Sequence, residues 1–417
     1  MQNTSQKFTL ICVALAFIWV NAWRPYVLNE KFYGRGDFAV FYSATQVSLL
    51  GQDPYVSKNL KPIIRKNRSS SGAFRYLYPP TALPFFLPLL MFTPKHAAYV
   101  WGILNILFVG ALIWLMQSIL KKRFSINEWL AIGTGLVIFG PIFTNNRLGQ
   151  INIALSLLIV GTMVLAQKKK WLWSGLPLAI ATMLKVFPGV VIVHYLISRQ
   201  WKMVISFMLW CLAIIMTTLV LFSKQIFVFY TTSSAFGVVK NGINAKIMEI
   251  AKFDNGTLNG ALHRLVMIIS PEHLNELAGY ISVTRLIIVA GLGVVILLIN
   301  LKTKIPTIYS VSLWLAWVLF SATAIHTQYF VLLLPLLVAL LIKPPEILQK
   351  KWCEVAMMIS FVLISFSFLR FFPSWIKHSF LFTLPFSFIA NCILLGLLLY
   401  YGYRLWQEKK QTNYVSD

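Results

Sequence analysis

Residues 332–341 read LLLPLLVALL. No polar side chain interrupts them, so they cannot alternate as a barrel strand, nor offer water the polar face of a surface helix. Apolar runs near 20 residues, the length a helix needs to cross a bilayer core, recur from end to end. Of the 417 residues, 58% are hydrophobic and 12% charged. That charged share is about half that of a soluble domain. The expected fold class is therefore all-α, a polytopic membrane protein with about twelve transmembrane helices. Spans are expected near residues 8–28, 97–120, 129–144, 150–167, 171–187, 189–198, 203–223, 283–300, 306–324, 328–342, 353–370 and 380–402. The first run passes a weak cleavage-like triplet, Val20-Asn21-Ala22, and continues to Val27, so it reads as an uncleaved helix.

Residues 81–92, TALPFFLPLLMF, are about half a span long and are interrupted by proline. Loop charge decides how to count them. With a cytoplasmic N-terminus and 81–92 not crossing, the basic clusters 121–123, 168–170, Arg199 with Lys202, Lys302 with Lys304, Lys343 with Lys350–Lys351, and Lys409–Lys410 all fall inside. This satisfies the positive-inside rule, so 81–92 is expected to be a re-entrant or surface helix. The formal net charge of +25 then reads as topological, through anionic lipid headgroups, rather than as a nucleic-acid surface. Both termini are expected in the cytoplasm of a multi-pass cell (inner) membrane protein. Residues 1–417 read as one integral membrane domain with two long outer loops, 29–96 and 224–282. The apolar stretches 38–50 and 258–269 inside those loops read as surface helices. Cys12, Cys211, Cys353 and Cys392 lie in or beside the apolar runs, which argues against a disulfide framework.

Twelve acidic residues are few enough to search one by one for a general base. Asp37 follows Gly34-Arg35-Gly36 shortly after the first helix and precedes an apolar stretch, which puts a carboxylate at the outer membrane surface. It reads either as a base or as a helix N-cap. Asp53, in Gly51-Gln52-Asp53-Pro54-Tyr55, reads as a turn residue. The run from Asn145 to Asn152 packs amides and Arg147 into a short outer connection. Gln150 and Asn152 suit sugar hydroxyls and Arg147 suits phosphate, while helix capping is the alternative. Lys185 sits late in an apolar run, where it either serves a site or snorkels to the interface. His326 and Arg75 are each a candidate phosphate contact or a plain interfacial residue. No Cys/His cluster has metal-ligand spacing, and no metal is expected. The candidates come from separate stretches, yet loop charge puts them on one face.

At this point the chain resembles glycosyltransferase family 87, polyprenyl-phosphate-dependent enzymes of the GT-C membrane fold. The resemblance rests on Asp37-Phe38 with Phe41-Tyr42 and Ala44, Leu50-Gly51 with Pro54-Tyr55, Tyr78-Pro79-Pro80 with Ala82-Leu83, Gly149-Gln150 with Asn152, Leu184-Lys185 with Phe187-Pro188, and Asn255 with Leu258-Asn259-Gly260. It implies a polyprenyl-phosphate-linked sugar as co-substrate, with mannose common in the family. It also implies a glycan or glycolipid acceptor of the cell envelope, inverting transfer on the extracytoplasmic side, and Asp37 as general base. Lys185 and the Gly149–Asn152 turn fall where the family keeps polar residues, and His326 precedes a Leu-Leu-Pro run as the family often shows. The competing class is a transporter or lipid-linked-sugar flippase. It predicts ionisable residues at the bilayer midplane and duplicated halves, and no internal repeat is visible here.

Overall fold

The computed structural model describes residues 2–23, 36–66, 75–233, 255–270, 273–365 and 386–415. All regular structure among the described residues is helical. The chain divides into two compact units, one of residues 1–138, 142–189 and 201–244, the other of residues 139–141, 190–200 and 245–417.

The first unit begins with α1 (Gln2–Ile18), which runs into a π-helical turn (Trp19–Trp23). It continues with α2 (Asp37–Leu49), α3 (Ser57–Lys66), a 3₁₀ segment (Pro80–Met91) and α4 (Pro94–Leu120). Then come α5 (Ile126–Ile138), α6 (Gly140–Leu148), α7 (Asn152–Gln167) and α8 (Trp171–Leu184). Following α9 (Ile192–Ile197), which belongs to the second unit, α10 (Trp201–Phe222) and α11 (Gln225–Thr232) complete the first. The second unit is otherwise built from α12 (Leu258–Ile269), α13 (Leu274–Lys302), α14 (Thr307–Ser321), α15 (Leu334–Ile342), α16 (Lys351–Ser365) and α17 (Phe386–Val415).

Four described helices are long and apolar enough to cross a membrane: α4, α10, α13 over Glu276–Lys302 and α17 over Phe386–Lys409. The pair α5 and α6 makes a fifth if counted as one span, bent by 54°. The bend falls where Pro141 lacks an N–H and crowds the preceding turn. Other expected spans appear as shorter apolar helices, such as α7 with 16 residues and α14 with 15. Sixteen residues rise ~24 Å, less than the ~30 Å hydrocarbon core. Two expected spans are composite. A 3₁₀ segment (Phe187–Val191) precedes α9, and another (Thr327–Leu333) precedes α15, whose first turn carries Pro335. Lys121, Lys169 and Arg199 each adopt a left-handed conformation at a helix end, with φ of 49°, 54° and 52°. Their charge also complements the negative end of the helix dipole there.

Residues 81–92 are the 3₁₀ segment almost to the residue. Pro84 and Pro88 remove the donors an α-helix would need. Twelve 3₁₀ residues rise at most ~24 Å. The segment packs against α2, α4, α8 and α10, with Ala82, Leu83, Phe86 and Leu89 buried.

Of the two apolar loop stretches, the first departs from the expectation of a surface helix. Helix α2 is buried nearly all round, from Phe38 through Thr45 and at Val47 and Ser48. Its polar residues Ser43, Thr45 and Ser48 are buried too, and Thr45 and Ser48 donate to the carbonyls of Phe41 and Ala44 one turn back, as suits a core helix rather than a surface one. Phe41 stacks on Phe86 at 4.5 Å and meets Tyr78 at 4.4 Å, while Phe38 stacks on Trp101 at 6.2 Å. Helix α12 is amphipathic but turned inside out. Asn259, His263 and Arg264 are buried, and Leu265, Ile268 and Ile269 are exposed. An outward apolar face fits a surface turned to lipid.

Candidate active site

In the first unit the site begins with two turns that interlock through glycine. Gly149 has φ +65°, and a Cβ there would lie 2.4 Å from Phe38 Cβ. A Cβ on Gly36 would lie 2.6 Å from the Leu148 carbonyl oxygen. Backbone therefore meets backbone where α2 starts and α6 ends, and the Trp101 indole donates to the Gly149 carbonyl at 3.1 Å. This contact sets Asp37 against Gln150, whose Nε2 donates to Asp37 Oδ2.

The N-cap alternative for Asp37 meets a specific obstacle. Gly36 holds the N-cap position and no side chain caps the helix there; Asp37 is the first helical residue. Its carboxylate gains from the positive end of the α2 dipole.

From Gln150 the network extends in both directions. Tyr78 Oη donates to Gln150 Oε1 at 3.1 Å, which fixes the amide so that its NH₂ points to Asp37. Asn145 Nδ2 donates to the Gln150 carbonyl and Asn145 Oδ1 accepts from the Asn152 backbone N–H, both at 3.1 Å. Lys185 Nζ donates to Asn152 Oδ1 at 3.2 Å and lies 5.3 Å from the Tyr78 ring centroid and 5.7 Å from that of Phe187. Aromatic faces attract such a cation. Asp37 is close enough to Lys185 for the two charges to interact. Asn152 is fully buried, and its Nδ2 has no hydrogen-bond partner among the described residues. A buried amide N–H left over in this way is a ready donor for a ligand oxygen.

Asp37, Gln150, Asn152 and Lys185 are thus brought together. Arg147 sits half-buried in the last turn of α6, two residues before Gly149. Arg75 is exposed ahead of the 3₁₀ segment and makes no hydrogen bond within this network. Asp53 closes a turn: the Tyr55 backbone N–H donates to its Oδ1 at 2.8 Å. Burial raises its carboxyl above the usual range, and that hydrogen bond partly offsets the rise.

His326 belongs to the second unit, half-buried at the start of a 3₁₀ segment. Its strand of chain is held by Asn255, whose Nδ2 donates to the Thr323 carbonyl at 3.2 Å and whose Oδ1 accepts from Ile325 N at 3.0 Å. Asn259 donates to the same Thr323 carbonyl at 3.2 Å, and Gly256 N donates to the Ile325 carbonyl at 2.8 Å. Thr257 caps α12 through a 3.1 Å bond from Gly260 N.

Sequence reasoning passed over Tyr78 and Asn145 as site residues and gave Asn255 and Asn259 no role. The Tyr78-Pro79-Pro80 and Asn255–Gly260 motifs contained the signal, but a partner 72 residues away, as Gln150 is from Tyr78, is invisible in a single sequence.

Comparison with known proteins adds one finding. The family model for glycosyltransferase family 87 matches residues 76–344. No curated protein and no solved structure matches the chain. The matched stretch contains Tyr78, Arg147, Gln150, Asn152, Lys185 and His326, while Asp37 precedes it and is joined to it through Gln150.

Proposed function

The chain belongs to glycosyltransferase family 87, and on that premise we propose that it moves a sugar from a polyprenyl-phosphate-linked donor to an acceptor hydroxyl, with inversion, on the extracytoplasmic side of the membrane. Family membership favours this over the transporter reading. The observation that carries the mechanism is the Asp37–Gln150–Tyr78 network beside Lys185 and Asn152. A sugar on a phosphate is already activated, because the phosphate departs as an anion. In a single displacement the acceptor oxygen bonds the anomeric carbon as its proton passes to the Asp37 carboxylate. The bond from that carbon to the phosphate oxygen breaks, and its electron pair leaves with the phosphate. Gln150 orients the carboxylate. The Lys185 ammonium opposes the charge gathering on the leaving group, and the spare Asn152 N–H offers a bond to a sugar or phosphate oxygen.

A donor-bound structure tests the binding half. At least one of Arg75, Arg147, Lys185 and His326, with Lys185 foremost, is expected within about 4 Å of a phosphate oxygen, the usual ion-pair limit. A bound donor whose phosphate touches none of the four removes this part of the mechanism.

Sidedness is tested separately. In a cysteine-free background, cysteines at positions 121 and 168 are expected to be shielded from an impermeant thiol reagent added outside intact cells. Labelling of both from outside reverses the assigned topology, and with it the extracytoplasmic site.

A further inference from the structure

Tyr78 takes no step in the proposed transfer, yet it stands beside Gln150 and Lys185 alike. It is buried, two residues before the 3₁₀ segment that begins at Pro80. Its backbone is fastened by Tyr55, whose Oη donates to the Tyr78 carbonyl at 3.0 Å. Its ring is fastened by Phe41 at 4.4 Å and by Tyr76 at 5.9 Å. Phe41 lies one turn after Asp37 on α2, so the helix that carries the carboxylate also braces the ring. A side chain gripped in this way has little freedom left to lose when a substrate binds.

The hydrogen-bond roles around Tyr78 follow from the chemistry of the groups. An ionised carboxylate only accepts, so the Gln150 amide turns its NH₂ to Asp37. The amide oxygen is left facing Tyr78, and the phenol O–H donates to it at 3.1 Å. Without that O–H, Gln150 Oε1 becomes a buried acceptor that has lost its donor, which is costly. Turning the amide over would place its oxygen against the carboxylate, where two acceptors repel. The phenol therefore holds the amide in the one orientation that serves the base. The ring has a second task. Lys185 Nζ lies 5.3 Å from its centroid while donating to Asn152 Oδ1 at 3.2 Å. An aromatic face draws such a cation to itself. Hydroxyl and ring thus act on groups of opposite charge, one through an amide and the other through the π-face.

We propose that Tyr78 is a positioning residue that sets the general base and the leaving-group cation in one arrangement. Its hydroxyl locks the Gln150 amide toward Asp37, and its ring holds the Lys185 ammonium. This rests on the sugar transfer proposed above. Because the hydroxyl is spent on Gln150, its effect on the rate passes through that amide.

The test is steady-state kinetics of the full chain in lipid nanodiscs, with polyprenyl-phosphate mannose as donor and a membrane extract as acceptor, and with thermal unfolding measured for every variant. Tyr78→Phe keeps the ring and loses only the hydroxyl. It is expected to lower kcat about tenfold, the scale of one lost buried hydrogen bond, with donor KM unchanged. Gln150→Leu should lower kcat at least as far. Adding Tyr78→Phe to it should cost nothing more, since residues that act in one chain are not additive. Tyr78→Leu also removes the ring and should raise donor KM about fivefold, the scale of a cation–π contact. Full kcat in Tyr78→Phe overturns the proposal, and so does a double variant whose two losses multiply. If Tyr78→Phe does not fold, a wild-type kcat in Gln150→Leu overturns it alone. A donor KM in Tyr78→Leu equal to that in Tyr78→Phe overturns the ring's part. Asp37→Asn run alongside keeps two failures apart. Wild-type transfer by Asp37→Asn would sink the base itself, whereas its inactivity beside an unimpaired Tyr78→Phe would sink only the positioning by Tyr78.

Discussion

Asp37→Asn is expected to lower turnover by roughly 100-fold or more, the scale of general-base catalysis, with folding and donor affinity close to wild type. Asparagine keeps the size of the side chain and can still pair with Gln150, but it cannot take up the acceptor proton. The alternative to a base was a helix cap, and asparagine caps about as well as aspartate. A structural role alone would therefore leave Asp37→Asn nearly as active as wild type. The structure sharpens this contrast, since the cap position belongs to Gly36 and the Asp37 carboxylate is directed to Gln150. Rate, thermal unfolding and donor KM should be measured together: loss of rate alone is the expected pattern, and wild-type transfer would leave Asp37 without a chemical role.

Gly149→Ala is expected to give a different pattern, in which activity and stability fall together. The residue has φ +65°, and the new Cβ would sit 2.4 Å from Phe38 Cβ and 3.3 Å from Phe38 N. The left-handed backbone alone costs about 1–2 kcal/mol for a residue with a side chain. Phe38 cannot yield without moving the first turn of α2, which carries Asp37. A displacement of about 1 Å at a reacting group costs on the order of 100-fold in rate. Transfer should thus fall about as far as in Asp37→Asn, with a lowered unfolding temperature that Asp37→Asn does not share. Normal activity in Gly149→Ala would show that the interlocked turns do not position the carboxylate.

The helical, membrane-embedded class was legible because it depends on composition and run length, which one sequence contains in full. The number of full-length spans was less so. Runs such as 328–342 look continuous in hydropathy yet fold as 3₁₀ followed by α, because Pro335 permits a helix start and not a helix interior. The burial of α2 was misjudged for a related reason: an apolar stretch after a charged turn suits a membrane surface and a protein core alike, and only its aromatic partners Phe86, Tyr78 and Trp101 decide between them.

Four of the candidate site residues, Asp37, Gln150, Asn152 and Lys185, were readable as polar groups in costly places and do come together. The link through Tyr78 was not, since its hydroxyl serves a residue from a distant stretch.

The central claim is that a lipid-linked phosphosugar is the immediate donor. Purified protein in lipid nanodiscs, supplied with a membrane extract as acceptor, should be offered the same radiolabelled sugar in two forms, as a polyprenyl-phosphate sugar and as a nucleotide sugar. Transfer of label from the polyprenyl phosphate, abolished in Asp37→Asn and absent with the nucleotide sugar, is the predicted result. Transfer directly from the nucleotide sugar, with the polyprenyl form inert, would contradict it.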